Sequence, residues 1–153
     1  AAGYCFSFQI LPTLYMGATI LLTTAANLEQ GLDYIQNGDA TLFLTAPTVL
    51  IALCNKLGWQ NVINNKLRAI ISSADILPLA LHRHIKHAFG VNVYEGIGMT
   101  ETMVYALNPL VGEYKIGSRG LICPEIEVAI FNQQKSTAIA ILFCITIAIN
   151  KKY

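Results

Sequence analysis

Charge is scarce in this 153-residue chain. Asp, Glu, Lys and Arg make up 12% of it, against about 25% in ordinary soluble domains. The net charge is +1 at pH 7, so nothing global points to nucleic acid or to an acidic partner. Hydrophobic residues reach 54%. A stand-alone domain of this length needs more polar cover, so the chain is expected to be a core piece of a larger protein. Cys5, Cys54, Cys123 and Cys144 are widely spaced, with no CxxC pair and no zinc-like spacing. They are expected to be small buried hydrophobes in a reducing cytosol. The N-terminus has no positively charged n-region, so no signal peptide is indicated. The almost wholly apolar run Thr137–Ile149 is shorter than the ~18–20 residues that span a bilayer. A buried strand, an incomplete membrane segment and out-of-frame sequence all stay open for it. The expected location is the cytoplasm, with membrane association left open. No internal repeat and no low-complexity linker is present.

What is there is an alternation of strands and helices. Thr19–Thr24 is β-branched and apolar and reads as a strand. Asn27 and Gln30 form a capping-box pattern for a helix that carries Leu28, Leu32 and Ile35 on one face and stops at Gly38. Thr41–Leu44 is a second strand. Thr45 is placed to cap the next helix, with Pro47 near its start and Gly58 at its end. Leu67–Ser72 is a third strand, Pro78–Phe89 a helix closed by Gly90, and Val91–Glu95 a fourth strand. Such alternation predicts an α/β fold of βαβ units with a mostly parallel sheet. Glu125–Phe131 alternates with period two, Ile126, Val128 and Ile130 sharing a face. That predicts a β-rich, antiparallel C-terminal segment.

The chemistry gathers in Tyr94-Glu95-Gly96-Ile97-Gly98-Met99-Thr100-Glu101-Thr102. Glycines let a backbone approach a ligand closely. A hydroxyl beside a carboxylate suits phosphate with Mg²⁺. The string follows a strand, as does Ser73-Ala74-Asp75. Ligands of open parallel sheets bind beyond the carboxyl ends of strands, so both loops can line one crevice. The stretch is neither GxGxxG nor GxxxxGK[ST].

The segment Glu95–Thr102 resembles the YGxTE motif of the AMP-forming adenylate enzymes, a superfamily of acyl-CoA synthetases, peptide-synthetase adenylation domains and luciferase-like proteins. Leu67–Pro78 resembles that family's LR-strand followed by Gly-Gly-Ala-Pro-Leu, and Phe89-Gly90-Val91 keeps its spacing to the motif. Leu14–Thr19 resembles the L-x-x-Gly-Ala-Thr strand entry, Thr45–Val49 the x-x-Pro-Thr helix start, and Lys115–Gly120 the K-P-G-S-x-G loop. The resemblance runs from about residue 10 to about residue 131. It divides the chain into 1–131, a partial AMP-binding domain, and 132–153, an apolar tail unlike the family.

The resemblance implies that ATP activates a carboxylic acid as an acyl-adenylate and that a thiol, usually of CoA, takes the acyl group. Thr100 and Glu101 would be catalytic, Thr100 bonding a phosphate oxygen and Glu101 holding Mg²⁺. Ser73, Ala74, Asp75, Glu95, Gly96, Ile97, Gly98, Met99 and Thr100 would border the nucleotide, and Ala46, Pro47 and Gly96 the acid. Ile97 stands where most members carry an aromatic that stacks on adenine, and Ile116 replaces the usual Pro. The family's phosphate loop would precede residue 1, and its ribose-binding Asp, hinge and adenylation lysine would follow residue 131. The chain alone is therefore expected to lack adenylation activity. Met99 leans toward acyl-CoA synthetases with a fatty or aryl acid, since peptide-synthetase domains usually carry Pro there. The alternatives are an adenylation module that loads a carrier protein and a non-functional truncated product.

Three further features have plainer readings. His82, His84 and His87 project at about 0°, 200° and 140° around a helix, so they cannot share one ion. Arg83, Lys86 and His87 instead read as a solvated basic face near the helix C-terminus. Gly117-Ser118-Arg119-Gly120 reads as a structural turn, with nothing placed to activate Ser118. Phe6, Phe8, Tyr15, Phe43 and Trp59 read as core.

Overall fold

The computed structural model describes residues 5–24, 26–58, 65–124, 126–131 and 142–146. A π-helical turn, Cys5–Ile10, leads into α1, Leu11–Tyr15. The longer helices are α2 (Leu28–Gln36), α3 (Pro47–Leu57) and α4 (Leu79–Phe89). Five strands form one sheet in chain order: β1 (Leu42–Thr45), β2 (Ala69–Ser72), β3 (Val93–Met99), β4 (Met103–Leu107) and β5 (Leu121–Ile122). β1, β2 and β3 are parallel, linked through α3 and α4, whereas β4 and β5 are antiparallel additions. β6 (Glu127–Phe131) and β7 (Leu142–Thr146) make a separate antiparallel pair. The predicted α/β class holds.

Local chemistry explains most of these boundaries. Asn27 Oδ1 accepts from the Gln30 N–H at 3.3 Å, and Asn27 Nδ2 donates to Gln30 Oε1 at 3.2 Å. The capping box closes side chain to side chain. Gly38 and Gly90 turn with φ of +76° and +73°, which glycine adopts without a Cβ clash. Two consecutive parallel crossovers of one hand put α3 and α4 on the same face of the sheet. There Leu32, Ile35, Leu50, Leu53, Ile70, Leu81, Ile85, Phe89 and Val93 form the main core. The other face buries Ala69, Ile71 and Tyr94 beneath Phe8, Leu44, Leu107 and Tyr114. β2 is thus buried at every residue, the continuous apolar pattern of a covered parallel strand.

Several expectations are corrected. Thr19–Thr24 is not a strand, because no strand lies alongside it among the described residues and β propensity needs a neighbour. Thr45 does not cap α3. It stays in β1, its carbonyl accepts from the Ser73 N–H at 3.1 Å, and the extended Ala46 precedes Pro47 at the first helical position. The fourth strand does not end at Glu95 but runs to Met99, because β4 returns antiparallel along it. Cys54 is buried, but Cys5 and Cys123 are only half-buried. Phe8 and Phe43 pack on the cores, whereas Phe6 and Tyr15 are exposed on the short N-terminal helices. Trp59 lies outside the described residues, as does most of the tail, whose 142–146 stretch is β7. Among the described residues no helix is long and apolar enough to cross a membrane.

Candidate active site

The carboxyl ends of β1, β2 and β3 fall in line. Thr45 registers with Ser72, and Ser72 with Glu95. The next residues, Ala46, Ser73 and Gly96, therefore form a crest along one end of the sheet. Strands about 4.8 Å apart put its two ends roughly 10 Å from each other. This is the end at which open parallel sheets bind ligands. Ser73 is buried. Ala46 is half-buried, and Pro47 and Gly96 are buried.

Beside the crest, the backbone of Ser73–Asp75 is unusual. Ala74 has φ +76°, the left-handed region that costs a side chain about 1–2 kcal/mol. Asp75 Oδ1 accepts from the Ile76 N–H at 2.7 Å at a bend in the chain, and the residue is exposed. Ala74 and Asp75 both face solvent.

Gly96–Met99 does not curl into a loop but continues as β3. The register with β4 shifts between Ile97 and Gly98. A Cβ on Gly98 would lie 2.3 Å from the Met103 carbonyl oxygen, so only glycine allows this close approach. Thr100, Glu101 and Thr102 form the turn, closed by Thr102 N–H to Met99 O at 3.3 Å. At about 3.3 Å per residue, Thr100 stands roughly 13 Å along the strand from Gly96. The structure thus brings Ala46, Pro47, Ser73 and Gly96 together, and lifts Thr100 and Glu101 above them on a hairpin. Both tip residues are exposed. Glu101 makes no ion pair among the described residues.

Glu95 closes the base of the hairpin. Its carboxylate is 1% exposed and accepts from Arg119 Nη1 at 2.6 Å, His82 Nε2 at 3.1 Å and the Leu77 N–H at 3.2 Å. His82 and Arg119 are the residues whose contact with Glu95 sequence reasoning missed. His82 is buried, not solvated, because it shares a helix face with Ile85 and Phe89 at i+3 and i+7. That spacing was the available signal. His84 and His87 are exposed, the latter as expected. The Gly117–Gly120 segment is the predicted turn, with Gly120 (φ +89°) pressed against the backbone of Leu107 and Asn108. Arg119's partner lies 24 residues away, and no local pattern reveals it. Nearby, Tyr114 donates to Val93 O at 2.7 Å and tilts against Tyr94. Burial first, then the charges of Glu95 and Tyr94, push its hydroxyl up to about 12.

A model of the AMP-binding enzyme family matches residues 2–139. The chain belongs to that family. It is 25% identical over 123 residues to the long-chain-fatty-acid–CoA ligase of Bacillus subtilis (strain 168), covering 80% of this chain and 22% of the relative. It is 27% identical over 139 residues to the mitochondrial malonate–CoA ligase of Mus musculus, covering 82% and 24%. An anthranilate–CoA ligase solved with anthranoyl-AMP superposes with a TM-score of 0.73 at 29% identity, covering 86% and 26%. The chain spans about a quarter of the length of these relatives. Its fold matches part of the N-terminal domain of adenylate-forming CoA ligases.

Proposed function

We propose that this chain is a central part of the large domain of an AMP-forming acid–CoA ligase acting on an aryl or fatty acid. In the first step a carboxylate oxygen bonds to the α-phosphorus of ATP. The bond to the β-phosphate breaks and pyrophosphate leaves. In the second, the CoA sulfur bonds to the acyl carbon and AMP leaves. The reading is carried by the family match over residues 2–139 together with the alignment of Ala46, Ser73 and Gly96 at one end of the sheet.

Each residue has a role its position can serve. Ser73, Ala74, Asp75 and the backbone of the Glu95–Met99 strand border the nucleotide. Ala46, Pro47 and Gly96 wall the acid pocket without any charge, which suits an apolar acid. The Thr100 hydroxyl donates to a phosphate oxygen. Mg²⁺ commonly takes one or two carboxylates and completes its shell with substrate phosphates and water. Among the described residues no group of three acidic, His or Cys side chains converges. A free Glu101 carboxylate at the hairpin tip fits that shared mode, in which the ion offsets phosphate charge. Everything else here is positioning, which can lower such a barrier by several kcal/mol. The chain on its own is proposed to lack adenylation activity, since its relatives are about four times longer.

The test is ATP–pyrophosphate exchange by the complete gene product, surveyed over aryl, fatty, dicarboxylic and amino acids. Exchange with aryl or fatty acids is expected. Signal confined to amino acids would replace CoA ligation by carrier-protein loading, and signal confined to malonate would overturn the apolar pocket.

A further inference from the structure

A carboxylate taken out of water needs donors to replace the hydration it loses. Among the described residues Glu95 has three, two from the start of α4 and one from a loop far along the chain. Leu77 lies at the entry to α4, His82 in its first turn and Arg119 in the loop before β5. The Glu95 carbonyl accepts from the Asn108 N–H at 2.9 Å, and Asn108 Nδ2 reaches Ser118 O at 2.5 Å. One residue thereby ties α4, the end of β4 and the Ser118–Arg119 loop to β3. The next residue is Gly96, at the crest.

Direction decides what this arrangement does. Val93 packs in the core beneath α4, and Tyr94 in the core on the opposite face. Strand alternation places Glu95 with Val93, and Gly96 with Tyr94. The carboxylate therefore points away from the face on which Gly96 lies. We propose that His82 and Arg119 are positioning residues acting through the buried Glu95 carboxylate, which holds the Gly96 backbone at the crest instead of contacting the nucleotide. The clamp stands on this geometry, while its service to a nucleotide rests on the function proposed above.

The clamp also fixes a tautomer. An ionised carboxylate only accepts, so His82 Nε2 must carry the proton. Nδ1 is buried with no partner among the described residues, which a neutral ring tolerates better than a second unsatisfied N–H.

The test is ¹⁵N NMR on the complete gene product, selectively labelled at His, Arg, Leu, Gly and Asn, with a titration of AMP. In the wild type, His82 should be the Nε2–H tautomer and the Arg119 guanidinium protons should exchange slowly. Arg119→Ala should move the Leu77 and Gly96 amide signals, speed exchange at the Asn108 amide roughly 10-fold and raise the Kd for AMP by a similar factor. Arg119→Lys should restore part of each, keeping the charge without the fork. Arg83→Ala, at an exposed position on α4, should move none of these signals. An Nδ1–H tautomer or fast guanidinium exchange overturns the clamp, and both are read on wild-type protein even if Arg119→Ala does not fold. Unchanged AMP affinity in a folded Arg119→Ala overturns the positioning role. No AMP binding by the wild type, with the NMR signatures present, leaves the clamp standing and counts against the nucleotide reading and the clamp's service to it.

Discussion

Gly98→Ala tests the hairpin that carries the proposed catalytic pair. Its backbone angles are open to any residue, so strain in φ is not the issue. The obstacle is distance, since the new Cβ would sit 2.3 Å from Met103 O and 2.8 Å from Val104 Cα. Both are backbone atoms, so no side chain can swing aside. Restoring ordinary contact means parting β3 from β4 by about 1 Å, beyond the ~2.7–3.2 Å range of a ladder hydrogen bond. One or two lost bonds at about 0.5–1.5 kcal/mol each, plus overpacking of about 1–3 kcal/mol, give a cost of about 2–4 kcal/mol. For a chain of this size that is a Tm lower by roughly 5–15 °C. Thermal unfolding followed by circular dichroism measures it, and amide exchange at Thr102 locates it at the turn. A Tm within about 1 °C of wild type would show that the close approach of β3 and β4 is not real.

In the complete gene product, Glu101→Gln should cut the adenylation rate by about 100-fold, in the range for losing one electrostatic stabiliser, and weaken acid binding far less. An unchanged rate removes Glu101 from its metal role. Ala74→Gly should relieve about 1–2 kcal/mol of left-handed strain against about 0.5–1 kcal/mol of added chain entropy. A Tm equal to or slightly above wild type is expected, and a fall of several degrees would contradict the φ of +76°. Tyr114 should ionise near pH 12 in the folded chain and near 10 when unfolded. Its neutral form is favoured by folding, so its contribution is complete below pH 10 and is lost as pH rises toward 12. A phenolate absorbance step for Tyr114 near pH 10 in the native protein would refute the burial of this hydroxyl.

Much of the fold was legible because its signals are local. Asn27 with Gln30, the apolar face of α2, and glycines at positions 38, 58 and 90 mark helix ends through bonds and dihedrals confined to a few residues. The failures share the opposite property. Thr19–Thr24 has the composition of a strand, yet a strand exists only by pairing. Gly96–Met99 has the composition of a loop, yet β4 supplies the partner that makes it a strand. Thr45 has a capping side chain, yet a carbonyl bond to Ser73 keeps it in β1. In each case a contact distant in sequence overrode a local preference.

The same division runs through the candidate site. Ser73, Gly96, Thr100 and Glu101 could be named from a motif, because closeness of backbone to ligand dictates residue type over a short stretch. That Ser73 and Gly96 share one end of the sheet was legible too, but the register that aligns them with Ala46 across three strands was not. The buried support behind them was less legible still. One of three histidines in a basic run and an arginine beside a glycine each have a more ordinary reading on a surface. Only the fold brings both to one carboxylate, and burial then changes what they mean. On a surface, an ion pair contributes about 0–1 kcal/mol, whereas removing one member of a buried pair costs about 3–5 kcal/mol. The hairpin tip can thus remain exposed and open to phosphate while its base is held by the buried Glu95 and His82 and the partly exposed Arg119.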